Sequence, residues 1–278
     1  MLLNKLSTFC STVISIAPRA PTLNIMNIDR NLKLKVLAII TLLIITAAFL
    51  LQPIAQDKNY HQFADVTTIL GIPNAWNVMS NIPFVVVGFI GLISLYKHHK
   101  TISRDSETIA SQIFFIGMIL TGFGSAYYHL APTNETLIWD RLLMTISFMA
   151  FFSFVLSLHI DKKLGARVLW PLLTLGVVSV IYWAYTESMG VGDLRFYAVI
   201  QFFPMILIPV VLILFPVTRY KQTYLWWVIS LYAIAKVLEL YDDQIYQLLS
   251  ISGHSLKHMV AALTGVTVLQ AIRSKAHR

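Results

Sequence analysis

The chain reads as all-α, a polytopic helical bundle built to sit in a membrane, and three observations carry that reading. Of its 278 residues, 57% are hydrophobic and only 12% charged, about half the ~25% charged share of soluble domains. Mean hydropathy is +0.70. Eight apolar runs are long enough to cross ~30 Å of hydrocarbon, with basic residues gathered in alternate connections between them.

The runs cover roughly 34–52, 77–96, 109–129, 137–159, 168–186, 195–215, 224–241 and 253–272. The second and the last open on polar residues. Ahead of the first run stand Lys5, Arg19, Arg30 and Lys33, with Lys35 just inside it. Alternate loops hold Lys97, Lys100 and Arg104, then Lys162, Lys163 and Arg167, then Arg219 and Lys221; the tail adds Arg273, Lys275 and Arg278. Sixteen of the 21 Lys and Arg thus lie on one side, against Lys58 and Arg195 on the other, while Arg141, Lys236 and Lys257 fall within spans. The positive-inside rule then puts both termini in the cytoplasm, as an even number of spans requires.

The same topology accounts for the net charge of +8, so no nucleic-acid partner is expected, and no protein partner is predicted. No internal repeat stands out. The single cysteine, Cys10, excludes a disulfide framework and a cysteine metal site. Residues 1–33 have no acidic residue before Asp29, and they include Pro18 and Pro21. They lack the long apolar core of a signal peptide, and no small residue precedes Cys10 as a lipoprotein box needs. They read as a disordered extension, or as sequence ahead of a start at Met26.

Ionisable groups inside a bilayer are expensive and seldom idle. The third run travels outward and ends at His129; the fourth starts at the outer face with Asp140. The last starts there with His254 and, one turn deeper, His258; the second starts there with Asn74, Asn77, Ser80 and Asn81. All of these therefore lie in the outer third of the membrane. His254 and His258, four residues apart on a helix, share one face about 6 Å apart, which suits a single metal ion. With His129 they make a three-histidine zinc set, one ion per chain, with the fourth position left for water. Plainer roles are open to each: interfacial placement, or hydrogen bonds between helices. His61, His98, His99, His159 and His277 lie in loops or near span ends and are given no role.

A zinc hydrolase also needs a carboxylate to handle the proton. In the His-Glu-x-x-His zincins it stands between the histidines. Here Ser255, Leu256 and Lys257 fill that gap, so a zincin is excluded. Asp140 is the leading candidate, its plainer role being a pair with Arg141. Ser125, four residues before His129, faces the same way. It would donate to a developing oxyanion or simply back-bond to its own helix. Asn77, Ser80 and Asn81 read as polar packing between helices. Lys236, Glu239 and Asp242, spaced by three on the seventh run, read as an internal ion pair, with an ion or proton path as the sharper alternative.

Four segments in this order, Asn77-Val-Met-Ser80-Asn81, Gly122-Phe-Gly-Ser125-Ala-Tyr-Tyr-His129, Asp140 with Met144, and His254-Ser-Leu-Lys-His258, resemble the alkaline ceramidases. That family belongs to a superfamily of seven-span membrane hydrolases that includes the adiponectin-receptor-like proteins. The run from Phe63-Ala-Asp65 to Gly71-Ile-Pro-Asn74 looks closest to bacterial members, which implies a bacterial inner membrane. The likeness covers roughly 60–272. It implies a seven-helix hydrolase core, with 34–52 as an additional N-terminal transmembrane helix and 273–278 as a cytoplasmic tail. It implies zinc held by His129, His254 and His258, and cleavage of the amide of ceramide, a membrane lipid. Ser125 would stabilise the oxyanion, and Asp140 would handle the proton of the attacking water. Animal members bind calcium through an acidic cluster before this second span. Here the stretch offers Asp65 and the neutral Asn74, which makes a calcium site doubtful.

Two rivals remain open. A zinc-containing receptor of the same superfamily would need a sizeable cytoplasmic region, and the loops on that side are about 8–12 residues long. A small-solute transporter would show inverted repeats and broken helices, for which Pro204 and Pro209 are the only hint.

Overall fold

The computed structural model describes residues 28–98, 106–217 and 221–274. The N-terminal extension as far as residue 27, His99, Lys100, Arg104, Arg219 and the tail from Lys275, including His277, lie outside them. The chain divides into two units, Met1–Val36 and Leu37–Arg278; of the first, the described part is the opening of α1 and the residues just ahead of it.

Helix α1 (Arg30–Leu50) is followed by a 3-10 turn (Lys58–His61), then α2 (Ala75–Met79), α3 (Ile82–His98), α4 (Ser106–Leu130), α5 (Asn134–His159), α6 (Lys162–Ser188), α7 (Arg195–Leu214), α8 (Thr223–Leu240), α9 (Asp242–Leu249) and α10 (Gly253–Arg273). Among the described residues eight helices are long and apolar enough to cross a membrane, with α2 and α3 counted together. They match the eight apolar runs. Large apolar side chains such as Leu42, Phe89, Trp170 and Ile206 are exposed on their outer faces, as a lipid-facing surface requires.

The helices from α3 onward close a ring. α10 packs on α8 and α3, α3 on α4, α4 on α5, and α5 on both α6 and α7, while α7 meets α8 only lightly. The most extensive seam joins α4 and α5. A Cβ at Gly117 would lie 2.7 Å from the backbone nitrogen of Ser147, and one at Gly124 would lie 2.8 Å from the Trp139 carbonyl oxygen. Glycine there lets two backbones approach where lipid offers no hydrophobic drive for helices to associate. That seam carries Ser125 and His129 on one helix and Asp140 on the other.

Three details could not be read from the apolar runs alone. The second apolar run is not one helix, since it breaks at Ser80–Asn81. Pro83 has no N–H to offer the Met79 carbonyl. The side chains of Ser80 and Asn81 both donate to the Asn77 carbonyl, at 3.1 and 2.8 Å, in place of the helix ladder. The polar stripe on the seventh run loses its last member: Lys236 and Glu239 pair on α8, which ends at Leu240, and Asp242 opens the separate helix α9. Finally, Pro204 and Pro209 do not break α7, which runs through both.

Candidate metal centre

His129 ends α4, and His254 and His258 occupy the first two turns of α10. One ring nitrogen from each lies within 4.8 Å of the others. The ring centroids are 4.9, 5.0 and 4.8 Å apart for the pairs 129–254, 129–258 and 254–258. All three side chains are buried. His129 is 1% exposed, yet neither of its ring nitrogens has a hydrogen-bond partner. A buried polar group left unpaired is costly, and a cation shared with two neighbouring imidazoles would satisfy one of the two nitrogens. The group can hold a metal.

The histidines are oriented by their surroundings. Ser80 Oγ donates to the Asn77 carbonyl and lies 2.8 Å from His258 Nδ1. With its proton on that carbonyl, the serine lone pair accepts from Nδ1–H and leaves His258 Nε2 free for a metal. Asn77 Oδ1 accepts from Ser255 Oγ at 2.8 Å, joining α2 to the start of α10. Asn74, in the left-handed region at φ 46, donates from Nδ2 to the carbonyl oxygen of His129 at 2.9 Å. Phe63 lies over the group, its ring 4.7 Å from that of His129 and 4.5 Å from that of His254.

Asp65 is fully buried, with Oδ1 accepting from Thr67 N and Oδ2 from Trp76 N and Asn77 N. Its carboxylate thus satisfies the amides at the start of α2, a capping duty. Asp242 is tied to the same region from the other side. Oδ1 accepts from Ser252 Oγ and His254 N, and Oδ2 from Ala64 N.

His258 lies in the wall of a cavity of about 300 Å³ inside the ring, lined from α3, α4, α5, α7, α8 and α10 and by Tyr60. Ser125 and Asp140 share that wall, and the serine stands beside the carboxylate. Lys236, Glu239 and Lys257 also line it. Glu239 accepts from both lysines. Lys257 in addition donates to His254 Nε2 at 3.0 Å. Among the described residues it is the one group hydrogen-bonded to that nitrogen, where a metal would bind, and Glu239 at 3.0 Å offers it another acceptor. Burial, more than any neighbouring charge, pushes the phenol of Tyr60 above its ordinary value, so this loop residue stays a neutral donor beside the cavity.

The structure therefore brings His129, His254, His258, Ser80, Asn77 and Asn81 together and sets Ser125 and Asp140 in the adjoining wall. Arg141 does not pair with Asp140; its guanidinium turns to Gln56 and to aromatic rings. His61, which was given no role, joins Tyr128 Oη at 2.9 Å to Asn134 Oδ1 at 3.0 Å. Two residues escaped sequence reasoning. Phe63 sits in an aperiodic loop that carries no orientation signal. Lys257 stood in plain view as a charge within a span, one residue from His258.

A family model described as Ceramidase matches residues 65–269. The chain belongs to the ceramidase family. The match takes in all three histidines, Ser125 and Asp140, and begins after α1 ends. No curated protein and no solved structure matches the chain. As a ceramidase-family member it is a multi-pass membrane hydrolase of amide bonds, acting on a lipid substrate.

Proposed function

We propose that this ceramidase-family protein is a zinc-dependent intramembrane hydrolase that cleaves ceramide or a related N-acyl lipid and releases a fatty acid. The observation that carries the reading is the buried three-histidine group beside a largely apolar cavity whose wall also bears Asp140 and Ser125. In this reading residues 60–272 form the catalytic domain, 34–52 an additional membrane helix and 273–278 a cytoplasmic tail.

His129, His254 and His258 would hold the ion as neutral imidazoles, a ligand set that suits zinc. Zinc in such a site supplies Lewis acidity, polarising an acyl carbonyl and easing the ionisation of water. Asp140 takes the proton from the attacking water and delivers it to the departing amine. Ser125 donates a hydrogen bond to the oxygen on which charge develops. Ser80 and Asn77 hold the α10 histidines in place, with Asn81 bracing Asn77. The Lys236–Glu239–Lys257 network keeps its charges mutually satisfied inside the bundle. The basic loops support cytoplasmic termini in a cell membrane, with the site toward the outer face.

The deciding experiment incubates purified protein with acyl-labelled ceramides in detergent micelles and follows fatty acid release before and after a chelator, then after zinc is restored. Release that stops with the metal and returns with zinc is expected. Release that continues after elemental analysis shows the metal gone would overturn the zinc mechanism. A zinc-loaded protein that cleaves no N-acyl lipid would favour the receptor reading.

A further inference from the structure

The cavity wall carries three cationic side chains, Arg141, Lys236 and Lys257, and two carboxylates, Asp140 and Glu239. The lysines share Glu239. Arg141 has no such arrangement. It is 5% exposed, and its Nη2 donates to Gln56 Oε1 at 2.6 Å. Its guanidinium carbon lies 4.2 Å from the ring of Trp183, 4.8 Å from that of Tyr197 and 5.5 Å from that of Tyr60. Nη1 is buried with no hydrogen-bond partner. Aromatic faces attract a cation but do not satisfy its N–H groups, and a buried guanidinium donor left unpaired is expensive.

No carboxylate among the described residues hydrogen-bonds to Arg141, and Asp140, the preceding residue, acts on it only through space. Glu187 accepts from Gln56 N and Asn134 Nδ2, and Asp193 pairs with Arg195. Asp140 stands beside Ser125. Arg141 thus lines the same cavity as Asp140, its neighbour in the chain, with one buried guanidinium nitrogen unpaired. Much of the remaining wall is apolar, with Phe114, Met118, Met144, Phe148 and Phe151 among its residues.

We propose that Arg141 is a headgroup site that binds an anionic oxygen group (phosphate, sulfonate or carboxylate) on an N-acyl lipid whose amide reaches the three histidines. This rests on the amide-hydrolase reading above and narrows its substrate from neutral ceramides to acidic ones. A guanidinium fork matches such groups in geometry as well as charge. The apolar wall beside it takes an acyl chain, which favours a lipid-borne anion over a free one.

Two measurements test it. In the first, the purified protein is melted with dodecyl phosphate, dodecanol or inorganic phosphate. Dodecyl phosphate should raise the melting temperature well beyond the other two, and Arg141→Gln should remove that advantage. Equal stabilisation by dodecanol overturns the anion site, and equal stabilisation by inorganic phosphate overturns the lipid assignment. In the second, kcat/KM is compared for ceramide 1-phosphate and ceramide of the same acyl chain. Wild type should prefer the phosphate, and Arg141→Gln should lower the ratio ~10- to 100-fold, the worth of a charge-assisted contact. An unchanged ratio overturns the proposal. Arg141→Lys keeps the charge, loses the fork and should lower the ratio less; it carries the test if Arg141→Gln does not fold. Anion-selective binding without amide cleavage would defeat the hydrolase reading alone. Equal cleavage of both lipids with no binding preference would defeat the headgroup site alone.

Discussion

Asp242 accepts the backbone N–H of His254 at 2.9 Å, so a carboxylate that touches no other candidate ligand fixes where α10 begins. The same side chain holds Ser252 Oγ at 2.6 Å and, through its other oxygen, Ala64 N at 3.0 Å. It therefore ties the loop that carries Phe63 to the helix that carries two of the histidines. Removing it leaves Ala64 N without its acceptor, while His254 N keeps Ser252 Oγ at 3.1 Å; a buried donor left unpaired costs ~1–3 kcal/mol. Asp242→Ala should melt at a lower temperature and bind less metal, with Asp242→Asn intermediate. A variant with wild-type melting and full metal content would show that the start of α10 needs no such anchor.

His254→Ala and His258→Ala should each lose the ion together with activity, because two imidazoles do not complete a zinc site. Elemental analysis reads this directly. Full zinc in either variant would mean that the ion sits elsewhere.

Asp140→Asn should keep the metal and lose turnover by ~100- to 10,000-fold, the usual contribution of a general acid–base group. Ser125→Ala should lose less, up to ~1000-fold for an oxyanion donor. If Asp140→Asn loses zinc instead, the carboxylate belongs to the ligand set or orients it. Undiminished turnover in Ser125→Ala would leave that serine a packing residue.

Stability at acid pH should depend on Asp193, in the turn between α6 and α7. Hydrogen bonding from Arg195 holds its carboxyl at about 2, below the ordinary 3.8. The folded value is depressed, so the stabilisation is present above the ordinary value and is lost as pH falls through the folded one. Arg195 Nη1 also reaches the carbonyls of Phe49 and Leu51, so the pair helps anchor the end of α1. Asp193→Asn should melt below wild type at pH 6, and the gap should close between ~pH 4 and ~pH 2. A gap of constant size across that range would mean that the ion pair contributes nothing.

Topology is testable with a membrane-impermeant maleimide on sealed cells, after Cys10 is replaced by serine. Asn134 is a poor probe, since its side chain is engaged by His61 and Glu187. Ala131, exposed just before α5, and Lys163, exposed beyond its far end, are better. Ala131→Cys should label and Lys163→Cys should not. The opposite pattern would turn the chemistry toward the cytoplasm and leave the metal ligands as assigned.

The number and rough extent of the membrane helices were legible in the chain itself, because apolar length against a fixed bilayer thickness is a one-dimensional property. So was the candidacy of His129, His254 and His258, since ionisable groups in apolar runs announce themselves. Arg141 and Lys257 announced themselves in the same way, but not their duties. Whether Arg141 turns to Asp140 or to Gln56 and three aromatic rings depends on side-chain direction across helices far apart in sequence. The break at Ser80–Asn81 and the separation of Asp242 from Lys236 and Glu239 were likewise decided by which backbone groups found partners in space. Spacing of three on a helix predicts a shared face only while the helix continues, and α8 stops at Leu240. Hydropathy measures transfer of segments into lipid and is blind to their neighbours. The mutual distances of the three rings, and the loop that brings Phe63 over them, follow only from how α4 and α10 close around α2 and α3.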